Sequence, residues 1–139
     1  MRKLPVLVAA TAVGAISIGV VTADAVTSKN SVSVSLNEFN VLTSSQGAPA
    51  GKVTFTVKNT GKIEHEFVVL KTAKPAGSLL GGDHGPTRAD EGGAVGEIGS
   101  VKSGQTQKLT VTLKKGHYSL LCNLPAHYKG GQFADFHVR

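Results

Sequence analysis

Strict alternation of apolar and small polar side chains recurs along the chain and predicts β-strands. Residues 31–36 read SVSVSL, residues 52–58 read KVTFTVK and residues 107–113 read QKLTVTL. Successive side chains of a strand point to opposite faces, so each segment would turn one face to a core and the other to water. No segment after residue 26 has a sustained helical period. The pattern predicts an all-β fold built mainly of antiparallel strands.

The N-terminal residues indicate export. After Met1, Arg2 and Lys3 come twenty uncharged residues, and these are followed by the sequence Asp24-Ala25. We interpret residues 1–25 as a signal peptide, or as an uncleaved N-terminal anchor because the apolar run approaches the ~20 residues that span a bilayer. Residues 26–139 would then form one domain in the periplasm, at the cell surface or in the medium.

The charge distribution limits the classes of partner. The chain has 15 Lys and Arg residues against 9 Asp and Glu residues, a formal net charge of +6. No run of basic residues is longer than Lys114-Lys115 after the leader, so nothing indicates nucleic-acid binding. The basic excess favours protein partners with acidic surfaces. We expect a monomer that contacts membranes only if the leader is retained.

Cys122 is the only cysteine of the chain. An exported protein usually pairs its cysteines, so a single one is an intermolecular link, a buried apolar side chain or a reactive thiol. Taken without its neighbours, Cys122 would first be interpreted as part of the core.

Two further strand-like segments carry residues that can bind a metal. His65 begins HEFVVL and Cys122 ends HYSLLC, so antiparallel pairing of these strands would bring both side chains to one end of the domain. The loop CNLPAHYKGGQ that follows contains His127 and Gln132. A copper electron-transfer site needs a thiolate, two imidazoles and a weak axial donor, which can be glutamine. The sequence offers this set as His65, Cys122, His127 and Gln132.

These segments, HEFVVL and GHYSLLCNLPAHYKGGQ, together with the glycine-rich connection between them, resemble a cupredoxin, or blue copper protein, of the plastocyanin/azurin group. The resemblance implies a Greek-key β-sandwich of about seven or eight strands with one copper ion, cycling between Cu(I) and Cu(II), at one end. It also implies that His65, Cys122 and His127 are equatorial ligands. Gln132 stands where methionine is more usual and is similar to the axial residue of stellacyanin-type members.

The resemblance assigns further roles around the copper. The backbone amide of Glu66 is expected to donate to the thiolate, and the edge of His127, among the apolar residues 124–126, is expected to be the electron port. The only methionine is Met1, so a chain cleaved after residue 25 has no methionine ligand. An amide oxygen at Gln132 should favour Cu(II) and give a low reduction potential. The alternative is that Gln132 does not bind and the site is effectively three-coordinate.

Residues 71–100 are rich in glycine and have no strand or helix period. We expect a long loop with one helical turn near residues 76–80. His84 in this loop is interpreted as solvated. His117 and His137 lie too far along their strands from Cys122 to share its ion.

The sequence predicts a single-electron carrier serving redox partner proteins, and not an enzyme. Two alternatives stay open: a carrier or storage protein that delivers copper outside the cytoplasm, and a metal-free adhesion or recognition sandwich with Cys122 buried. A nucleophile and base pair of Cys122 and His127 is disfavoured, because the chain offers no evident substrate cleft.

Overall fold

Nine strands arranged in two sheets make up the part of the chain that the computed structural model describes, residues 30–139. They are β1 (Ser31–Asn37), β2 (Asn40–Thr43), β3 (Gly47–Ala48), β4 (Gly51–Asn59), β5 (His65–Lys71), β6 (Ala94–Val101), β7 (Thr106–Leu113), β8 (Gly116–Leu121) and β9 (Phe133–Val138). The predicted signal peptide or anchor, residues 1–25, lies outside the described residues. Within residues 30–139 no helix has the length and apolar character needed to cross a membrane.

One sheet has the order β2-β1-β4-β7 and the other the order β3-β9-β8-β5-β6. The all-β sandwich is confirmed. The strands pair mainly in the antiparallel sense, as predicted, and the exceptions are the parallel pairs of β1 with β4 and of β3 with β9. The parallel pairs arise because the chain leaves the first sheet after β2, contributes β3 to the second sheet and then returns as β4.

The inner faces of the two sheets form the main core. Phe55 of β4 lies at its centre and packs against the rings of Phe67 and Phe136, with ring centroids 5.4 and 5.5 Å apart. The alternating residues of the three predicted strands point into this core: Val32, Val34, Leu36, Val53, Phe55, Val57 and Leu113. Replacing a buried phenylalanine such as Phe55 by alanine would cost about 3–5 kcal/mol of stability.

The central strands β5 and β8 are covered on both faces. Val68, Leu70 and Leu121 point away from the main core and pack with Leu79, Ala89 and Tyr128 in a second buried cluster. Residues 72–93, which we call the covering segment, thus pack on the outer face of the second sheet. These two strands therefore have no face in water, because the covering segment packs on their outer face.

The region predicted as one long loop contains a strand. β6 occupies its last third, where glycines interrupt the pattern in AVGEIGSV and hide the strand from a sequence reading. The expected helical turn near residues 76–80 is only a tight turn, in which the Ser78 amide donates to the Pro75 carbonyl at 2.9 Å. His84 is 45% exposed, as expected, and its Nε2 lies 3.8 Å from the Glu91 carboxylate.

The pairing of β5 with β8 sets up the functional end of the molecule. The two strands are antiparallel, with Val68 opposite Leu121 and Lys71 opposite Tyr118. His65 therefore begins β5 at the edge of the sheet where Cys122 follows β8. His117 lies at the other end of β8, opposite His137 of β9, and so the expected separation of these histidines from Cys122 is confirmed.

Candidate metal centre

Three potential ligand atoms converge at one end of the sandwich. The Nδ1 atoms of His65 and His127 are 3.3 Å apart, and the Sγ atom of Cys122 lies 3.3 Å from Nδ1 of His127 and 4.0 Å from Nδ1 of His65. With bonds of about 2.0 Å to nitrogen and 2.3 Å to sulfur, an ion in the plane of three such donors separates them by about 3.5–3.7 Å. The donors are therefore already spaced for a trigonal first-row metal ion.

Each of the three candidate ligand residues is held by a different local structure. His65, fully buried, is fixed by strand pairing with Val101 of β6. The Cys122 amide donates to the Gln132 carbonyl at 3.1 Å, and this bond closes the base of the loop formed by residues 122–132. His127 lies in the turn of that loop, where its amide donates to the Leu124 carbonyl at 3.0 Å. His127 is the only ligand of the three that is partly exposed.

The loop returns to the metal end through a left-handed residue. Gly131 has a φ of 105°, which a side chain would strain. The Gln132 amide then donates to the His127 carbonyl at 3.2 Å. Glycine at position 131 therefore permits the bend that returns the chain to Gln132.

Gln132 is buried with its amide group oriented. Its Nε2 donates to the Asn37 carbonyl at 2.9 Å and lies 3.5 Å from the Asn40 carbonyl. Because both neighbours are acceptors, the nitrogen must face them and Oε1 must face the other way. Oε1 is buried and has no hydrogen-bond partner among residues 30–139. A buried acceptor without a donor is costly, and a cation would satisfy it.

Burial keeps the side chains of Cys122 and His65 uncharged in the absence of metal. It raises the pKa of the Cys122 thiol, although the backbone amides of Glu66 and Leu124 oppose the rise. The Glu66 amide donates to Sγ at 3.2 Å, which is the contact that the family resemblance implied. Burial, followed by the nearby His127 ring, lowers the pKa of His65, while Glu38 and Gln132 oppose the decrease. The site therefore offers a neutral imidazole and a thiol that a metal ion can deprotonate.

Solved structures of blue copper proteins share this architecture. Auracyanin from Roseiflexus castenholzii is 26% identical, with a TM-score of 0.58, over 79% of this chain and 97% of auracyanin. Auracyanin A, described as a "blue" copper protein from Chloroflexus aurantiacus, is 22% identical, with a TM-score of 0.53, over 78% and 99%. Rusticyanin from Thiobacillus ferrooxidans is 18% identical, with a TM-score of 0.61, over 81% and 79%. No protein-family model and no curated protein sequence matches the chain.

The fold of these neighbours and the histidine, cysteine and histidine cluster point the same way. The chain has the cupredoxin fold, with the ligand types of a blue copper site. The donor set fits one copper ion, since a thiolate and two imidazoles in a trigonal arrangement are what a blue copper site requires. Among residues 30–139 this is the one such cluster of histidine, cysteine and acidic side chains.

Two residues that sequence reasoning missed connect the loop of residues 122–132, which we call the copper loop, to the covering segment. Asn123 follows Cys122, and its side chain accepts from the Ala89 amide at 2.7 Å and donates to the Ala89 carbonyl at 3.1 Å. Tyr128 follows His127, and its hydroxyl bonds Leu79 and Ala76. The sequence did contain a signal for both residues. Each directly follows a candidate ligand, so its side chain points away from the ion and towards the segment that packs behind the loop.

A third missed residue, Glu38, lies on the opposite side of His65. Its Oε1 is 3.7 Å from Nε2 of His65. Phe39, the next residue, packs edge-on against the His127 ring with centroids 5.5 Å apart and is 41% exposed. The turn between β1 and β2 therefore contributes to the copper end of the domain, although no motif in the sequence marks it.

Proposed function

We propose that this cupredoxin is an extracytoplasmic electron carrier that accepts one electron from a redox partner protein and passes it to another. His65, Cys122 and His127 would be the equatorial copper ligands, and Gln132 the axial one. The observation that carries the proposal is the convergence of Nδ1 of His65, Nδ1 of His127 and Sγ of Cys122 in a buried, pre-arranged group. Copper in such a site supplies reversible one-electron oxidation and reduction.

The protein residues would keep the coordination shell fixed during that change. His65 is held by the pairing of its strand and Cys122 by the Glu66 amide. The loop from Cys122 to Gln132 is held by its own turns. A shell that cannot relax needs little reorganisation when the charge of the ion changes. The same buried surroundings exclude water and with it competing ligands.

His127 offers the route between the ion and a partner. It is the least buried of the three ligand residues and lies beside the exposed Pro125 and Ala126 and the ring of Phe39. A partner that docks on this apolar end would be separated from the copper only by the imidazole of His127. Small and weakly held interfaces are typical of electron-transfer encounters, and the net charge of +6 favours partners with acidic surfaces.

A copper carrier or storage role is the second candidate. The accessible edge of His127 favours it too, because an acceptor protein could begin ligand exchange there. The two roles differ in what leaves the protein. An electron carrier keeps its copper through many redox cycles, whereas a copper carrier loses the ion to an acceptor apoprotein or chelator under mild conditions.

A copper titration of the metal-free domain tests the proposal. We expect uptake of one Cu(II) ion per chain, with an intense blue absorption and the paramagnetic resonance of a type 1 site. Repeated reduction and oxidation in the presence of a chelator should then leave the copper in place. A colourless protein would contradict copper binding by this site, and loss of copper within the first cycles would favour delivery over electron transfer.

A further inference from the structure

The outer nitrogen of His65 is a buried polar atom without a hydrogen bond. His65 is 0% exposed, and its Nε2 has no hydrogen-bond partner among residues 30–139. Since Nδ1 faces the other ligands, Nε2 must carry the proton when Nδ1 binds a metal. A buried N–H group that stays unpaired is costly. The site therefore needs an acceptor on the far side of the His65 ring.

Glu38 supplies a carboxylate at that position. Its Oε1 lies 3.7 Å from Nε2 of His65. A small movement of the imidazole ring would bring the two atoms within hydrogen-bond distance. The carboxylate is held from behind, because Oε1 accepts the Lys62 amide at 2.6 Å and the Ile63 amide at 2.9 Å. Gly61 also packs so closely that a Cβ atom there would collide with the carboxylate. These contacts make Glu38 a fixed feature of the site and not a freely moving surface side chain.

The two amides, that of Ile63 first, hold the pKa of Glu38 below its usual range. The group is therefore an anion at neutral pH. Its side chain is 33% exposed, so solvent screens part of its charge. An anion on the far side of a metal-bound histidine makes that histidine a stronger donor and stabilises the more highly charged state of the ion.

We propose that Glu38 is a positioning residue for the copper site, whose carboxylate accepts the Nε2 proton of His65 and selectively stabilises Cu(II). This inference rests on the proposed function. It assigns part of the redox tuning to the turn between β1 and β2, outside the four ligand positions. The competing acceptor is Oε1 of Gln132, the other unpaired buried atom near the ring. Were Gln132 to bond Nε2, it would be turned away from the ion.

Two isosteric variants separate the effect of a charge that faces the His65 ring from the effect of a charge that does not. E38Q removes the charge but keeps an oxygen that can accept the Lys62 and Ile63 amides. E64Q is the matched control: Glu64 precedes His65, is exposed and bonds Ser100, so the variant removes the same charge without facing the ring. We expect E38Q to weaken Cu(II) binding by about tenfold, which is the lower end of the loss in metal affinity when a hydrogen-bond partner of a ligand is replaced. We expect Cu(I) binding to change less and E64Q to stay near wild type.

The reduction potential gives an independent readout. A tenfold selective loss of Cu(II) affinity raises a one-electron potential by about 59 mV, so E38Q should be the more oxidising protein. A potential for E38Q equal to that of E64Q would overturn the inference while leaving a blue wild-type protein intact. A wild-type protein that takes up no copper would instead overturn the proposed function, and this inference with it.

Nuclear magnetic resonance of the Cu(I) wild-type protein tests the contact without any variant. We expect the Nε2 proton of His65 to be visible, slow to exchange and shifted downfield, as a hydrogen bond to a carboxylate requires. The resonance should move in E38Q and stay in place in E64Q. A fast-exchanging proton, or one correlated with the Gln132 amide in place of the Glu38 carboxylate, would overturn the assignment.

Discussion

The hydroxyl group of Tyr128 accepts a hydrogen bond from the backbone amide of Leu79 at 2.8 Å. The same hydroxyl donates to the Ala76 carbonyl. Since Tyr128 directly follows the candidate ligand His127, these bonds fasten the copper loop to the covering segment. Asn123 does the same next to Cys122. The covering segment thus serves as a backing for the loop that carries two of the three equatorial ligand candidates.

Removing the Tyr128 hydroxyl should loosen the copper loop. Tyr128→Phe leaves two buried backbone groups without partners, which costs about 1–3 kcal/mol of stability. We also expect a broader distribution of site geometries, seen as broadened paramagnetic resonance lines of the Cu(II) protein. Chemical denaturation of the metal-free protein measures the first effect.

Tyr118 provides the matched control for that variant. It is equally buried, and its hydroxyl bonds both backbone groups of Lys114 at the other end of β8. Tyr118→Phe should also cost stability, although less, because Lys114 is exposed and water can replace the hydroxyl, and it should leave the resonance lines sharp. Equal broadening in both variants would show that the effect comes from general destabilisation and not from the backing of the loop.

Cys122→Ser should abolish the blue colour. A serine hydroxyl does not ionise at neutral pH and cannot supply the thiolate on which the intense absorption depends. The fold should survive, because Cys122 belongs to neither of the packed apolar clusters. Visible absorption after copper addition, with circular dichroism to verify folding, gives the result. Retention of the intense colour would contradict the assignment of Cys122 as a ligand.

Gln132→Met should raise the reduction potential. A thioether is a softer donor than an amide oxygen and favours Cu(I). A tenfold change in the ratio of the two affinities corresponds to about 59 mV for one electron. Gln46→Met, at the opposite end of the domain beside His137, introduces the same thioether away from the copper and should leave the potential unchanged. An unchanged potential in Gln132→Met would contradict axial coordination.

Copper affinity should depend on pH in a way set by the thiol. Burial raises the pKa of Cys122, so the metal-free site keeps its thiol proton at neutral pH and Cu(II) must displace it. Burial lowers the pKa of His65, so this ring is already neutral and releases no proton. Affinity should therefore increase about tenfold per pH unit between about pH 7.5 and 8.5. Competition against a chelator measures the slope, and a pH-independent affinity would contradict a protonated thiol.

The sequence predicted those strands in which apolar and polar residues alternate without interruption. β1, β4 and β7 match the patterns of residues 31–36, 52–58 and 107–113 to within a residue at each end. β6 was missed because its glycines carry no hydrophobic signal. The outer burial of Val68 and Leu121 was missed as well, because an apolar run in a strand does not reveal which segment will cover its second face.

The candidate ligands were predictable because copper demands particular donor types at particular spacings. The structure brings His65, Cys122 and His127 together and places Gln132 in the adjacent buried position. Glu38 could not be predicted, since it reaches His65 from a turn far away in the sequence and belongs to no motif. Its role depends on a tertiary contact, which residue spacing along the chain does not encode.

The dependence of the copper loop on the covering segment limits how this protein can be engineered. Grafting onto residues 122–132 a blue copper loop that lacks counterparts of Asn123 and Tyr128 would leave the backbone groups of Leu79 and Ala89 without their hydrogen-bond partners. The transferable unit is the loop together with residues 72–93. A chimera that exchanges both pieces should retain a rigid site, whereas one that exchanges the loop alone would inherit the ligands of its donor without their support.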